Sequence, residues 1–258
     1  MIVFLVGLLG LVFGSFLNVC IYRIPRGESV VFPSSHCTVC NTKLKWYDLI
    51  PVLSFLLLKG KCRYCKNPIS ITYPIIEIIC AVISILSVNL YGLSISALLI
   101  FIIGCLLLYV SVVDIKTYEI DLICLLFIGF LKLLFIFSEK GFSKAVLISV
   151  LCGPIFNSIL NGVIFLVSRE KAMGLGDVIL LMAGGIGFSV KEAIVCNFIA
   201  YILGFIYIIF SKIFQVFIKK QMQDRNIPFG PFISMGVFIT TIAGERLIDI
   251  YINFMGVI

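Results

Sequence analysis

Eight apolar segments, separated by short polar stretches, form the main pattern of the chain. They cover residues 2–22, 73–91, 94–113, 120–137, 144–167, 178–188, 192–214 and 230–252. Because a helix needs about 20 apolar residues to cross a bilayer, this pattern predicts an all-α polytopic membrane protein with about eight transmembrane helices. The sixth segment is the weakest, since it is short and contains Gly184, Gly185 and Gly187. The first segment has no basic n-region, so we expect a retained span rather than a cleaved signal peptide.

Composition and charge support this interpretation. Hydrophobic residues make up 61% of the chain and charged residues 13%, against about 45–50% and about 25% in soluble proteins. If residues 23–72 are cytoplasmic and every span crosses once, most lysines and arginines lie inside, and among loop residues only Lys140, Lys144 and Lys191 lie outside. This bias predicts an inner-membrane protein in contact with lipid, and it explains the net charge of +7 without a nucleic-acid partner.

The polar segment 23–72 contains two CxxC knuckles, formed by Cys37 with Cys40 and by Cys62 with Cys65, and separated by 21 residues. Four thiolates are the ligand set of a closed tetrahedral zinc site. A polar segment of this size buries little core, so a structural zinc ion would supply folding energy. The alternative, two disulfides, is disfavoured by the reducing cytoplasm in which the topology places these thiols. We predict a zinc-ribbon-like cytoplasmic loop between the first two spans.

Two aspartates are candidates for catalysis. Asp114 ends the third apolar run, and Asp177 ends the string MGLGD that leads into the sixth. The predicted topology places both at the cytoplasmic end of their spans. Two close carboxylates share a proton, so one activates water while the other hydrogen-bonds a scissile carbonyl. Gly174 and Gly176 would form an active-site turn that lets backbone approach closely. The alternatives are an N-cap role for Asp177 and a solvated helix end for Asp114.

These residues resemble the type IV prepilin peptidases, membrane enzymes of the GxGD aspartic protease class. The blocks that carry the resemblance are GSFLNVCIYRIPRGES (14–29), the two knuckles with WYDLIPVLS (46–54) and GKCRYC (60–65), YPIIE (73–77), Asp114 with MGLGD (173–177), and PFGPF (228–232). They follow the family's order across almost the whole chain. The resemblance implies that Asp114 and Asp177 are the catalytic pair, and that the intact cysteine module is typical of bifunctional bacterial members.

The implied activity has two steps. The family cleaves the short basic leader from prepilins and pseudopilins, then N-methylates the new amino terminus with S-adenosylmethionine. Asn18, Arg23 and Glu77 are candidates for methyl transfer, because they are polar residues of the matching blocks. Their alternative roles are structural, with Arg23 as a membrane-surface anchor and Glu77 as a helix-packing partner. We expect residues 1–91 to form an N-terminal part with both flanking spans and the zinc loop, and residues 92–258 to form the peptidase domain.

The chain departs from the family pattern at two positions. Many members have Ile-Pro-Asp shortly after the first catalytic aspartate, whereas this chain has Ile120-Asp121, without the proline. Asp121 could therefore be confused with Asp114 as the first catalytic residue. Ile179 stands where the family often has a lysine. The rival interpretations are a membrane methyltransferase without peptidase activity, and a transporter, which the scarcity of charge within the spans disfavours.

Overall fold

The computed structural model describes residues 1–170, 173–218 and 227–254, and for residues 214–218 only the backbone. Within these ranges the protein is all-α, with two isolated β-bridges and no strand. The α-helices are α1 (Ile2–Arg23), α2 (Leu53–Leu57), α3 (Thr72–Tyr91), α4 (Ile95–Thr117), α5 (Leu122–Lys140), α6 (Lys144–Ser168), α7 (Leu175–Gly184), α8 (Val190–Ile218) and α9 (Gly230–Phe254). Two short 3-10 helices, Ile24–Arg26 and Trp46–Leu49, lie between α1 and α2.

Seven of the described helices are long and apolar enough to cross a membrane, which confirms a polytopic membrane protein. The weakest predicted segment corresponds to α7, which has ten residues. At 1.5 Å per residue it is about 15 Å long, half of the roughly 30 Å hydrocarbon core. Gly187 follows α7 in the left-handed region, at φ 80°. The basic residues Lys171, Lys219, Lys220 and Arg225, which the sequence assigns to the cytoplasm, lie outside the described residues.

The chain divides into two compact units, Met1–Cys105 and Leu106–Ile258, so the division falls within α4. In the first unit, α1 packs along α3. A Cβ on Gly14 would lie 2.7 Å from the Cα of Glu77, and one on Gly10 would lie 2.7 Å from the Cα of Ala81. Glycines at these positions therefore let the two backbones approach closely, as at many membrane helix interfaces. The predicted boundary between residues 91 and 92 stays a prediction.

In the second unit, α7 lies among α5, α6 and α9, and α8 packs against α9. Both faces of α7 are apolar, and Leu180 and Leu181 are fully buried, which is typical of a helix in the interior of a bundle. Beyond the end of α7, the buried ammonium of Lys132 donates a hydrogen bond to Thr241 on α9. It also lies 4.2 Å from the centre of the Phe188 ring. One side of α7 is therefore packed against neighbouring helices, while Leu175 and Met182 remain exposed.

Candidate active site and metal centre

Asp114 lies in the last turn of α4 and is 5% exposed. Its Oδ2 accepts a hydrogen bond of 2.9 Å from the backbone N–H of Gly230, the first residue of α9. The first N–H groups of a helix lack partners within that helix and form its positive end, which attracts a carboxylate. A Cβ on Gly230 would lie 2.7 Å from the same oxygen. Only glycine therefore lets the start of α9 reach Asp114.

Asp177 lies in the first turn of α7 and is 8% exposed. Its Oδ2 accepts a hydrogen bond of 3.1 Å from the N–H of Gly174, so it also caps its own helix. Burial raises the pKa of Asp177 to about 6, the Gly174 N–H opposes this rise, and the negative charge of Asp114 adds to it. Asp177 therefore lies in a desolvated site in which its neutral form is favoured.

The packing of α7 against α9 explains why the aspartates share one depth. A Cβ on Gly184 would lie 2.6 Å from Val237, so the end of α7 contacts α9 two turns after its start. Asp177 precedes Gly184 by the same number of residues as Gly230 precedes Val237. Gly230 binds Asp114 in the last turn of α4, and Gly176, beside Asp177, approaches Ile120 just after the end of α4, so α7 and α9 both begin near the level at which α4 ends. The structure therefore brings Asp114 and Asp177 together at one end of the second unit.

The two glycines of the MGLGD string have different surroundings. A Cβ on Gly176 would lie 3.2 Å from the Cβ of Ile120, in the connection that follows α4. Gly174 has extended backbone, with φ −79° and ψ 159°, so its conformation does not require glycine. The backbone of Gly176 therefore approaches the connection between α4 and α5. A role of either glycine toward substrate stays a prediction.

Asp121 has a local structural role. Its Oδ1 accepts a hydrogen bond of 2.9 Å from the N–H of Ile123, which makes Asp121 the N-cap of α5. Asp is among the residues that fit this position best. Asp121 thus serves the start of α5, whereas Asp114 is the aspartate held by Gly230.

The four cysteines of the two knuckles form one cluster. All four Sγ atoms lie within 4.8 Å of one another, and those of Cys37 and Cys65 are 3.9 Å apart. Tetrahedral zinc with Zn–S bonds of about 2.3 Å requires S–S separations of about 3.8 Å. The described cysteines form no disulfide. The donor set and its spacing therefore fit a zinc ion.

The two knuckles share one backbone pattern. In the first, the N–H of Cys37 donates to Thr42 and the N–H of Asn41 donates back to Cys37. In the second, Cys62 and Lys66 make the corresponding bonds to Asn67 and Cys62. A single β-bridge closes each knuckle, between residues 36 and 43 and between residues 61 and 68. We call residues 36–68 the cysteine module.

The three methyl-transfer candidates are buried in the first unit, and each has a backbone partner. Asn18 donates to the carbonyl of Tyr73 at 3.1 Å, and Arg23 donates to the carbonyl of Ser29 at 3.0 Å. The Oε2 of Glu77 accepts a hydrogen bond of 2.7 Å from the N–H of Val52. Val52 has φ 60°, a strained value for a β-branched residue. Glu77 therefore holds the cysteine module in a conformation that local preferences oppose.

A cavity of about 450 Å³ separates the cysteine module from α1 and α3. Asn18, Arg23 and Glu77 all line it, as do Cys37 and Cys62. Cavities of this size are typical of small-molecule and cofactor sites. The structure thus brings the three candidates together around one cavity, although their roles stay predictions.

Gly230, Val52 and a buried set of amides on α6 and α8 are features that the sequence analysis did not single out. The PFGPF string contains Gly230 and belongs to the blocks of the family resemblance, which assigns it no role. The sequence does indicate a helix start there, because the glycine precedes a proline and proline fits the first turn of a helix. That the glycine would meet Asp114, 116 positions away in the chain, could not be inferred from one sequence.

Fold and site together define a polytopic membrane protein with a four-cysteine module and a pair of buried acids. Two family models match it: the bacterial peptidase A24 N-terminal domain at residues 8–91, and the type IV leader peptidase family at residues 100–209. The chain belongs to the type IV leader peptidase family. This confirms the resemblance and, at the level of the family, a peptidase associated with N-methyltransferase activity, and it disfavours a methyltransferase without a peptidase domain.

Curated relatives match over most of their length. The type 4 prepilin-like proteins leader peptide-processing enzyme of Escherichia coli O78:H11 is 31% identical, with 90% of each chain covered. The prepilin leader peptidase/N-methyltransferase of Bacillus subtilis is 29% identical, with 95% of each covered. That of Xanthomonas campestris is 27% identical, over 96% of this chain and 93% of the relative. No solved structure matches the chain.

Proposed function

We propose that the protein cleaves the basic leader from prepilins and pseudopilins with Asp114 and Asp177 as its catalytic pair. The observation that carries this proposal is the burial of both carboxyls at one end of the second unit, each beside a helix start. The two groups share one proton, and their apparent pKa values belong to the pair. The ionised carboxylate takes a proton from water, whose oxygen attacks the scissile carbonyl carbon, while the protonated carboxyl donates a hydrogen bond to the carbonyl oxygen. The tetrahedral intermediate then collapses with cleavage of the C–N bond, and the proton taken from water passes to the leaving amine.

The test is a cleavage assay with purified protein in detergent, a prepilin and labelled S-adenosylmethionine. Asp114→Asn and Asp177→Asn keep the shape and the acceptor oxygen of each side chain but cannot exchange the proton, so both should abolish cleavage. Asp121→Asn is the matched control, since asparagine is an equally good N-cap, and it should cleave normally. Full cleavage by the first two variants would refute the proposal.

We propose that S-adenosylmethionine binds in the cavity between the cysteine module and α1 and α3. Support comes from its size and from the buried carboxylate of Glu77 in its lining. In the transfer, the new amino terminus forms an N–C bond, the S–CH₃ bond breaks, and S-adenosylhomocysteine leaves. The amine must lose a proton, and Glu77 is the residue of the lining that we assign as its acceptor. Asn18 and Arg23 would position the cosubstrate and the module around it.

We propose that zinc in the cysteine module is structural. A closed site of four thiolates leaves no position open for substrate or water. When bound, the ion cross-links the two knuckles and so fixes one wall of the cavity. Chelation should therefore impair methylation more than cleavage.

We propose that the cysteine module and the aspartate pair face the cytoplasm. Two spans, α3 and α4, separate the module from Asp114 along the chain, and an even number of crossings returns to the same side. The hydrogen bond from Gly230 to Asp114 indicates that α9 starts where α4 ends. Between the end of α4 and the start of α9 the chain crosses the membrane four times, through α5, α6, residues 178–189 and α8. Four is an even number, so both ends lie on the same side. The basic residues of the module then lie inside, as the positive-inside rule expects.

A further inference from the structure

We propose that four polar side chains, the buried Asn157, Asn161 and Asn197 and the half-buried Tyr201, position the two aspartates relative to each other. We call them the polar bridge. The inference rests on the proposed function, because it assigns these residues to the alignment of the Asp114–Asp177 pair. None of them contacts either carboxylate, so they are positioning residues and not catalytic ones.

One end of the polar bridge holds α7. The Nδ2 of Asn157 on α6 donates a hydrogen bond of 2.7 Å to the carbonyl of Leu181, one turn after Asp177. The Nδ2 of Asn197 on α8 donates to the Oδ1 of Asn157 at 2.7 Å, and the Nδ2 of Asn161 donates to the Oδ1 of Asn197 at 3.0 Å. These bonds join α6, α7 and α8 through side chains of fixed length.

The other end of the polar bridge reaches the support of Asp114. The hydroxyl of Tyr201 on α8 hydrogen-bonds the Oδ1 of Asn161. The Tyr201 ring packs against the ring of Phe229, with centroids 5.9 Å apart. Phe229 directly precedes Gly230, whose N–H binds Asp114. A continuous path of contacts therefore runs from the helix of Asp177 to the residue that holds Asp114.

Burial shows that this arrangement serves more than adhesion between helices. Asn157 and Asn161 are fully buried and Asn197 is 3% exposed. Placing amides in an apolar interior costs free energy unless every group finds its partner. Interhelical hydrogen bonds help to hold helices together in a bilayer, and, unlike apolar contacts, they are directional and select one relative position. The bridge selects one depth and rotation for α7 relative to the start of α9.

Gly204 provides an independent way to displace the Tyr201–Phe229 end. A Cβ on Gly204 of α8 would lie 2.6 Å from the Cε2 of Phe229. Gly204→Ala must therefore displace the Phe229 ring, which packs against Tyr201. Gly162 on α6 is the matched control, since a Cβ there meets nothing within 4 Å.

The experiment compares Asn197→Leu and Gly204→Ala with the controls Ser158→Ala and Gly162→Ala. Among the described residues, the hydroxyl of Ser158 donates to the carbonyl of Pro154 on its own helix. A displacement of about 1 Å between catalytic groups can cost about 100-fold in rate. We therefore expect kcat for cleavage to fall about 100-fold in the first two variants, while KM stays unchanged, since contacts with the leader and apolar segment remain. Both controls should keep the kcat of the wild type.

Methylation of a peptide that already has the mature amino terminus, together with thermal unfolding, checks that each variant is folded. A folded Asn197→Leu protein with unchanged kcat, or a rise in KM alone, would overturn the polar bridge. The aspartate variants separate this result from failure of the proposed function. If Asp114→Asn and Asp177→Asn lose cleavage while Asn197→Leu and Gly204→Ala keep it, only the bridge is refuted.

Discussion

In the cysteine module, four thiolates lie in a polar segment whose longest helix has five residues, and only Cys62 among them is buried. In the second unit, the two carboxyls lie among long packed helices and are 5% and 8% exposed. The module therefore depends on cross-links, namely the Glu77–Val52 bond and the zinc ion proposed for its four cysteines, whereas the aspartates depend on close helix packing. Because the two sites depend on different contacts, a mutation that damages one site should leave the activity of the other unchanged.

Gly230→Ala should have the largest effect. The added methyl group would displace the start of α9 from Asp114, which loses its N–H donor. We expect cleavage to fall by up to about 10³-fold, because a donor aimed at a reacting carboxyl and the geometry of the pair are lost together. Methylation of a pre-cleaved peptide should stay at the wild-type rate. Equal loss of both activities would show that the two sites are not independent.

Glu77→Gln should affect methylation alone. Glutamine keeps an acceptor for the Val52 N–H but removes the proton acceptor, and general-base catalysis is worth about 10²–10⁴-fold. We expect a loss of about 10²-fold in methyl transfer, measured with labelled S-adenosylmethionine, and normal cleavage. Ser87→Ala on the same helix is the control, since Ser87 bonds only to the carbonyl of Ile83. Retained methylation would leave Glu77 as a structural support of Val52.

Cys62→Ser should weaken zinc binding by at least about 100-fold, since even indirect partners of a metal site contribute 10–100-fold. Zinc content would be measured by elemental analysis and both activities by the labelled assay. We expect methylation to fall with zinc content and cleavage to fall less. Cys152→Ser, outside the cluster, is the control. A mutant with full zinc content would contradict the four-thiolate site.

The smallest effect concerns pH. Burial raises the pKa of Asp177 to about 6 and the charge of Asp114 adds to the rise. The protonated form of Asp177 is present below this pKa and is lost as pH rises through it, so cleavage should decline above about pH 6 on its basic limb. Asp114→Asn removes the charge and should lower the pKa of Asp177. Carbodiimide labelling of Asp177 as a function of pH would measure this shift, and an unchanged profile would show that the carboxyls do not interact.

Hydropathy predicts the helices because each span is a single apolar run, and the knuckles and the GxGD string identify their residues by spacing alone. The relation between Gly230 and Asp114 is different, since it depends on where the fold places the start of α9 relative to the end of α4. The sequence indicates part of the polar bridge, because it contains the pair Asn157 and Asn161 and the pair Asn197 and Tyr201. Each pair has i, i+4 spacing within an apolar span, where polar side chains are costly. Which pair meets which requires the fold.

The length of α7 also has a consequence for the bilayer. The long helices of the second unit meet both membrane surfaces, so they tilt when hydrophobic thickness changes. α7 covers about half of that thickness and follows only its neighbours. A change in bilayer thickness should therefore shift the position of Asp177 through the tilt of the neighbouring helices. The cleavage rate should then depend on lipid acyl-chain length when the protein is reconstituted in vesicles. Methyl transfer, proposed for the cavity beside the cysteine module, should respond less to the same change of lipid.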